Sequence, residues 1–153
     1  MPAQTATLTP RQQSVLYPWP LKAEGTFSVF LDGQAIDIQT ITIVNDPSQH
    51  ILRITGRNTV GQDTVREIDI EFADHTPPGT TFNLAQSEFT PTRIWLSVKT
   101  ATESYAVRGM TGTLSIQQIS PQLIKVQGAA VARTDTDPNG QEHDLIINFN
   151  IHT

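Results

Sequence analysis

The densest set of potential ligating groups is the run Asp135-Thr136-Asp137-Pro138-Asn139-Gly140. Asp135, Asp137 and Asn139 match the opening half of a calcium loop. In such loops side-chain oxygens at alternate positions converge on the ion, and a glycine permits the sharp turn. The closing half departs from the pattern. Its last ligand position falls on Ile146 instead of a bidentate glutamate, so Glu142 or Asp144 would have to substitute. A hairpin turn uses the same residue types without any metal. A second constellation is the period-2 acidic stripe Glu67, Asp69, Glu71. Same-face neighbours on a strand fall within the roughly 5–9 Å that separates the two carboxylates of a glycosidase. Arg53 and Arg57 stripe the strand before it. If Arg57 opposes Val65, Arg53 opposes Asp69, and cross-strand ion pairs explain the stripe without catalysis.

Trp95 is the third candidate. Ile94, Leu96 and Val98 share one face of a strand, so Trp95 points the other way, beside Arg93, Ser97 and Lys99. A tryptophan on a polar strand face can stack on a ligand or anchor a protein partner. Alternatively it is covered by the N-terminal arm, whose Tyr17 and Trp19 also need packing partners. Of the four histidines, His50, His75, His143 and His152, none stands in an HxH or HExxH arrangement. His143 flanks the Asp-rich loop and could join a metal there; otherwise it is a solvated residue at a strand end. No nucleophile elbow, phosphate loop or dinucleotide fingerprint is present.

The elements that must position these residues are strands. Of 153 residues, 21 are Thr and only 3 are Lys, which suits pleated, half-buried surfaces better than helix faces. Absence of cysteine removes disulfides, thiolate nucleophiles and zinc–thiolate sites. A net charge of −5 argues against nucleic acid and against anionic membrane surfaces. No apolar run approaches the roughly 18 residues of a membrane helix. Met1–Ala6 lacks the charged start and apolar core of a secretory signal, so a cytoplasmic setting is expected, or an extracellular or particle-associated one if a leader has been trimmed.

Residues 1–24 read as an extended arm, broken by Pro10, Pro18 and Pro20 and carrying Tyr17 and Trp19. Residues 25–153 read as one antiparallel β-sandwich or barrel of nine or ten strands. The firmest element is a hairpin about Asp32-Gly33, a preferred type I′ pair. Pairing Leu31 with Gln34 sets Val29 opposite Ile36 and Phe27 opposite Ile38. Ile41 and Ile43 then change parity, which predicts a bulge near Gln39–Thr40. Further strands are expected at 50–57, 65–72, 80–84, 93–99, 105–108, 112–118, 123–133 and 144–151. Gly128-Ala129-Ala130 places small residues inside a strand, leaving room that Phe149 or Phe82 would cover.

Gly79-Thr80-Thr81-Phe82-Asn83-Leu84, Gly112-Thr113-Leu114-Ser115-Ile116, Val126–Val131 and Leu145–Ile151 follow one another in an order that resembles small bacterial β-barrel or β-sandwich domains of unknown function, often lipoproteins. This chain departs from them in having no lipobox cysteine and an alanine after Gly128. The resemblance implies a fold and carries no mechanism.

These features favour a non-catalytic binding or protein-interaction module, structural within an assembly or a homo-oligomer, with Trp95, Arg93, Lys99, Tyr17 and Trp19 as contacts and calcium at Asp135, Asp137 and Asn139 as an optional staple. Two other readings stay open. One is a calycin-like barrel with a small apolar ligand in a cavity lined by residues such as Phe27, Leu96 and Val126. The other is a carboxylate-dependent hydrolase using Glu67, Asp69 or Glu71.

Overall fold

The structure is a computed structural model that describes residues 20–120 and 124–153, the side chains of residues 87–89 excepted. It contains eleven strands: β1 Leu21–Lys22, β2 Glu24–Leu31, β3 Gln34–Ile36, β4 Thr40–Asp46, β5 Ile51–Val60, β6 Thr64–Ala73, β7 Thr80–Asn83, β8 Arg93–Lys99, β9 Ser104–Ser120, β10 Lys125–Thr134 and β11 Asp144–His152. A 3-10 turn, Leu84–Phe89, follows β7. All strand pairs are antiparallel. They form one sheet in the order β1-β4-β5-β6-β8-β9-β10-β11-β2-β3, with β7 beside β9. The sheet curls into a half-barrel around a single core, with one face of every long strand turned inward. Strand alternation alone is compatible with a sandwich or a barrel; a single curled sheet is what forms. The sheet begins at Leu21, whose partner is Ile43, four residues ahead of the expected boundary.

The hairpin follows its expected register, with Val29 opposite Ile36 and Leu31 opposite Gln34. Asp32 and Gly33 take φ of 52° and 81°, the two positive values a type I′ turn demands. Ladder pairing stops at Ile36, so Phe27 and Ile38 are not paired. The parity change near Gln39 is not a bulge. After Ile36 the chain crosses from one end of the sheet to the other and enters β4. Gln39 anchors the crossing: its side-chain NH2 donates to the Thr59 carbonyl at 3.0 Å and its Oε1 accepts from the Thr59 amide at 2.9 Å.

The segments expected as separate strands at 105–108 and 112–118 are one 17-residue strand, β9. It carries the sheet around its corner. Inward residues are Tyr105, Val107 and Gly109 before the corner and Leu114 and Ile116 after it, so parity changes between them. The pairing with β10 slips at the same place, Arg133 facing Thr111 and Thr134 facing Gly109. One extra residue, Met110, explains both, as a β-bulge should. Gly112, at φ 112°, completes the bend.

Phe149 fills the space that the small residues leave. It is the register partner of Gly128, and a Cβ on Gly128 would come within 2.5 Å of its ring. Its ring stacks on Phe27 with centroids 6.1 Å apart. Phe27, Leu96 and Val126 all belong to the same packed core.

Candidate functional site

Outward-facing residues of β5, β6, β8 and β9 build the first site. The β5–β6 register places Arg57 opposite Glu67 and Arg53 opposite Glu71, two residues away from the pairing expected of these arginines. The reason is the turn. Strand β5 runs on to Val60 and pairs with Thr64, so only Gly61, Gln62 and Asp63 lie outside the ladder. The result is still a row of cross-strand ion pairs: Arg53 Nε to Glu71 Oε1 at 2.9 Å and Arg57 Nε to Glu67 Oε1 at 3.7 Å. Exposed pairs of this kind contribute about 0–1 kcal/mol each. Their effect here is to occupy two of the three carboxylates in the stripe.

Asp69 differs. It faces Thr55 on one side and Trp95 on the other, and the Thr55 hydroxyl donates to Asp69 Oδ1. Burial pushes the Asp69 carboxyl above its ordinary value, against the Thr55 hydrogen bond, and the charges of Glu67 and Glu71 add to the rise. The floor beside Trp95 therefore carries a carboxyl that holds its proton more readily than an ordinary aspartate does.

Trp95 is half-buried on the outer face, as its alternation with Ile94 and Leu96 requires. It lines a hollow of about 470 Å³ with Pro20, Thr42, Arg53 and Asp69. A second hollow of about 690 Å³ adjoins it, lined by Arg57, Asp63, Val65 and Lys99, and the two share Glu67, Ser97 and Ala106. Lys99 and Trp95 thus lie along one continuous groove. Arg93 lines neither hollow. Its guanidinium donates to the carbonyls of Thr90 and Thr92 at 2.6 and 2.7 Å and holds the turn before β8. Tyr17 and Trp19 lie outside the described residues, but Pro20, the next residue, stands at the groove.

The Asp-rich run forms the loop between the paired strands β10 and β11, the hairpin that its residue types also allow. Asp135, Asp137 and Asn139 do not converge. Asp135 Oδ1 accepts from the Arg108 amide at 2.9 Å. Asp137 Oδ1 accepts from the amides of Asn139 and Gln141 at 2.8 and 3.0 Å, while the Asn139 side-chain NH2 donates to Glu103 at 3.4 Å. Among the described residues no three acidic or histidine side chains group so as to hold a metal ion. The melting temperature should therefore be the same in millimolar calcium and in EDTA; a calcium-dependent rise would restore the ion to the loop.

His143, expected to be solvated, is 9% exposed and bridges two carboxylates. Its Nδ1 lies 2.7 Å from Asp32 Oδ2 and its Nε2 lies 2.8 Å from Asp137 Oδ2. Asp32 Oδ1 accepts from the Asp144 amide. Burial works to lower the His143 pKa, but the hydrogen bonds and charges of Asp32 and Asp137 outweigh it and leave it raised. The Gln141 amide first, then His143, hold the Asp137 carboxyl below its ordinary value. For Asp32 burial opposes, and the Asp144 amide and His143 win, leaving it lowered too. With both ring nitrogens committed, this is a clamp between the β2–β3 turn and the β10–β11 loop, not a general base.

No helix among the described residues is long and apolar enough to cross a membrane. Comparison with protein-family profiles, curated proteins and solved structures found no match.

Proposed function

We propose that this domain is a non-catalytic protein-interaction module whose outer groove holds an extended, aromatic-bearing polypeptide segment, anchored on Trp95. The observation that carries this reading is the continuity of the two hollows through Glu67, Ser97 and Ala106. From Val65 to Glu71 the groove follows β6 for about 20 Å at roughly 3.3 Å per residue, long enough for some six residues of extended chain. A half-buried tryptophan among satisfied ion pairs is the usual composition of an interface anchor and its polar rim. The segment Val15-Leu16-Tyr17-Pro18-Trp19 immediately precedes Pro20 at the groove, so the chain carries a ligand of this type, for its own groove or that of a second copy.

Every described strand and core residue lies within 20–153, so protein lacking residues 1–19 is the receptor to test. A peptide of residues 11–19 titrated onto it calorimetrically should bind saturably. Trp95→Ala should weaken binding about tenfold or more, the loss expected of an anchor residue. Absence of binding, or equal binding by Trp95→Ala, would overturn the reading. Light scattering on the full chain then separates the two modes: a monomer binds its own segment, an oligomer exchanges it.

A further inference from the structure

The inner face of the same strands ends in a row that a barrel core does not require. Along β5–β6–β8–β9 the inward rows run Ile54–Ile70–Ile94, then Gly56–Ile68–Leu96–Val107, then Asn58–Arg66–Val98–Tyr105. The first two rows are apolar and fully packed. The third brings a carboxamide, a guanidinium and a phenol to the mouth of the half-barrel. Arg66 shares the inward face of β6 with Ile68, Ile70 and Phe72. Among the described residues it makes no hydrogen bond or ion pair; burial first, then the charges of Asp137 and Glu103, leave the Tyr105 phenol raised, and Arg66 works against them. Beside it Asn58 is 4% exposed, and its Oδ1 has no hydrogen-bond partner.

Arg66 and Tyr105 open on a cavity of about 230 Å³. Leu31, Ile36, Leu96 and Val98 form its apolar wall, and Asp32 and His143 stand at its rim. The Asp32 oxygens are already engaged by His143 and by the Asp144 amide, so they are spent as hydrogen-bond acceptors. What is left without a protein partner is the half-buried guanidinium. A guanidinium is shaped to receive a carboxylate through two parallel hydrogen bonds.

We propose that the mouth cavity is a binding site for a small monocarboxylate with a short hydrocarbon tail, its carboxylate on Arg66 and Tyr105 and its tail on Leu31, Ile36, Leu96 and Val98. The cavity corresponds to about seven or eight water volumes, which suits a molecule of roughly that many non-hydrogen atoms. The cavity shares Val98 and Tyr105 with the larger hollow of the outer groove, but Arg66 lines neither hollow, so its substitution tests this site apart from the groove.

The test is a titration of the full chain with hexanoate, followed by amide chemical shifts and calorimetry, with hexanol as the uncharged control. Hexanoate should bind saturably and shift the amides of β6, β8 and the β2–β3 turn. Arg66→Met should weaken hexanoate about tenfold to a hundredfold, the loss of a charge-assisted hydrogen bond, and Arg66→Lys should recover part of it. Hexanol should bind wild type and Arg66→Met alike. If Arg66→Met does not fold, wild type still decides: no saturable hexanoate binding, or hexanol binding as tightly as hexanoate, overturns the proposal. So does a folded Arg66→Met that binds hexanoate like wild type.

Discussion

His143→Leu lowers the melting temperature at pH 5.5 by several degrees, and the difference from wild type narrows by pH 9. The cause is the clamp. At pH 5.5 the ring is an imidazolium that donates to Asp32 and Asp137 together, at 2.7 and 2.8 Å. Losing a hydrogen bond to a charged group costs about 1.5–3 kcal/mol, and for a chain of this size each kcal/mol moves the midpoint by about 2–4 °C. The pH dependence follows from the directions of the shifts. His143 is raised above 6.5 in the fold, so its contribution is complete below that value and is lost as pH climbs through the folded one. A neutral ring has a single N–H, so one nitrogen then turns a lone pair toward a carboxylate. Asp32 and Asp137 are lowered from 3.8, so their contribution is complete above that value and fades in stronger acid. The clamp is therefore strongest between about pH 4 and 6.5. Thermal melts of wild type and variant from pH 5 to 9 check this. A gap that does not change with pH would mean that the ring only fills space.

Gly112→Ala prevents folding or removes a large part of the stability, while Gly33→Ala costs little. Both glycines have positive φ, 112° and 81°. At Gly33 a new Cβ meets nothing within 4 Å, leaving only the left-handed backbone penalty of about 1–2 kcal/mol. At Gly112 it would stand 1.9 Å from the Val131 carbonyl oxygen. That atom belongs to the backbone of β10 and cannot swing aside as a side chain can. Strain of about 1–3 kcal/mol from the backbone angle is joined by a forced separation of β9 from β10, at the corner that joins the two halves of the sheet. Urea midpoints of the two variants decide the matter: equal losses would show that the corner yields, and that its geometry is not set by Gly112.

Much of this architecture was legible in the residues, for reasons particular to each place. Asp32-Gly33 with Val29 and Ile36 specified a hairpin because turn chemistry and alternation agreed. The outward direction of Trp95 followed from Ile94 and Leu96 alone. Strand ends were harder. The β5–β6 register depended on whether Asn58–Val60 stayed in the ladder, and nothing in Asn58, Thr59 and Val60 says so. The β9 corner looked like two strands because Met110 and Gly112 interrupt the alternation, as a gap would. The Asp32–His143 contact spans 111 residues, and each partner has a sufficient local explanation, one in a turn and one at a strand end. Arg66 was within reach: the alternation that turns Ile68 and Ile70 inward turns Arg66 inward as well.

The pairing of β2 with β11, from Leu31 opposite Leu145 to Glu24 opposite His152, sets the timing of biosynthesis. Among the described strands, β11 alone bridges β10 and the β2–β3 hairpin. Until residues 144–152 leave the ribosome, β2 lacks its ladder partner, Phe27 lacks Phe149, and Asp32 lacks His143. Joining segments so far apart carries the largest loop-closure cost in the chain and slows folding. Until translation has passed β11 the facing edges of β10 and β2 stay unpaired, and transiently exposed strand edges of this kind favour aggregation.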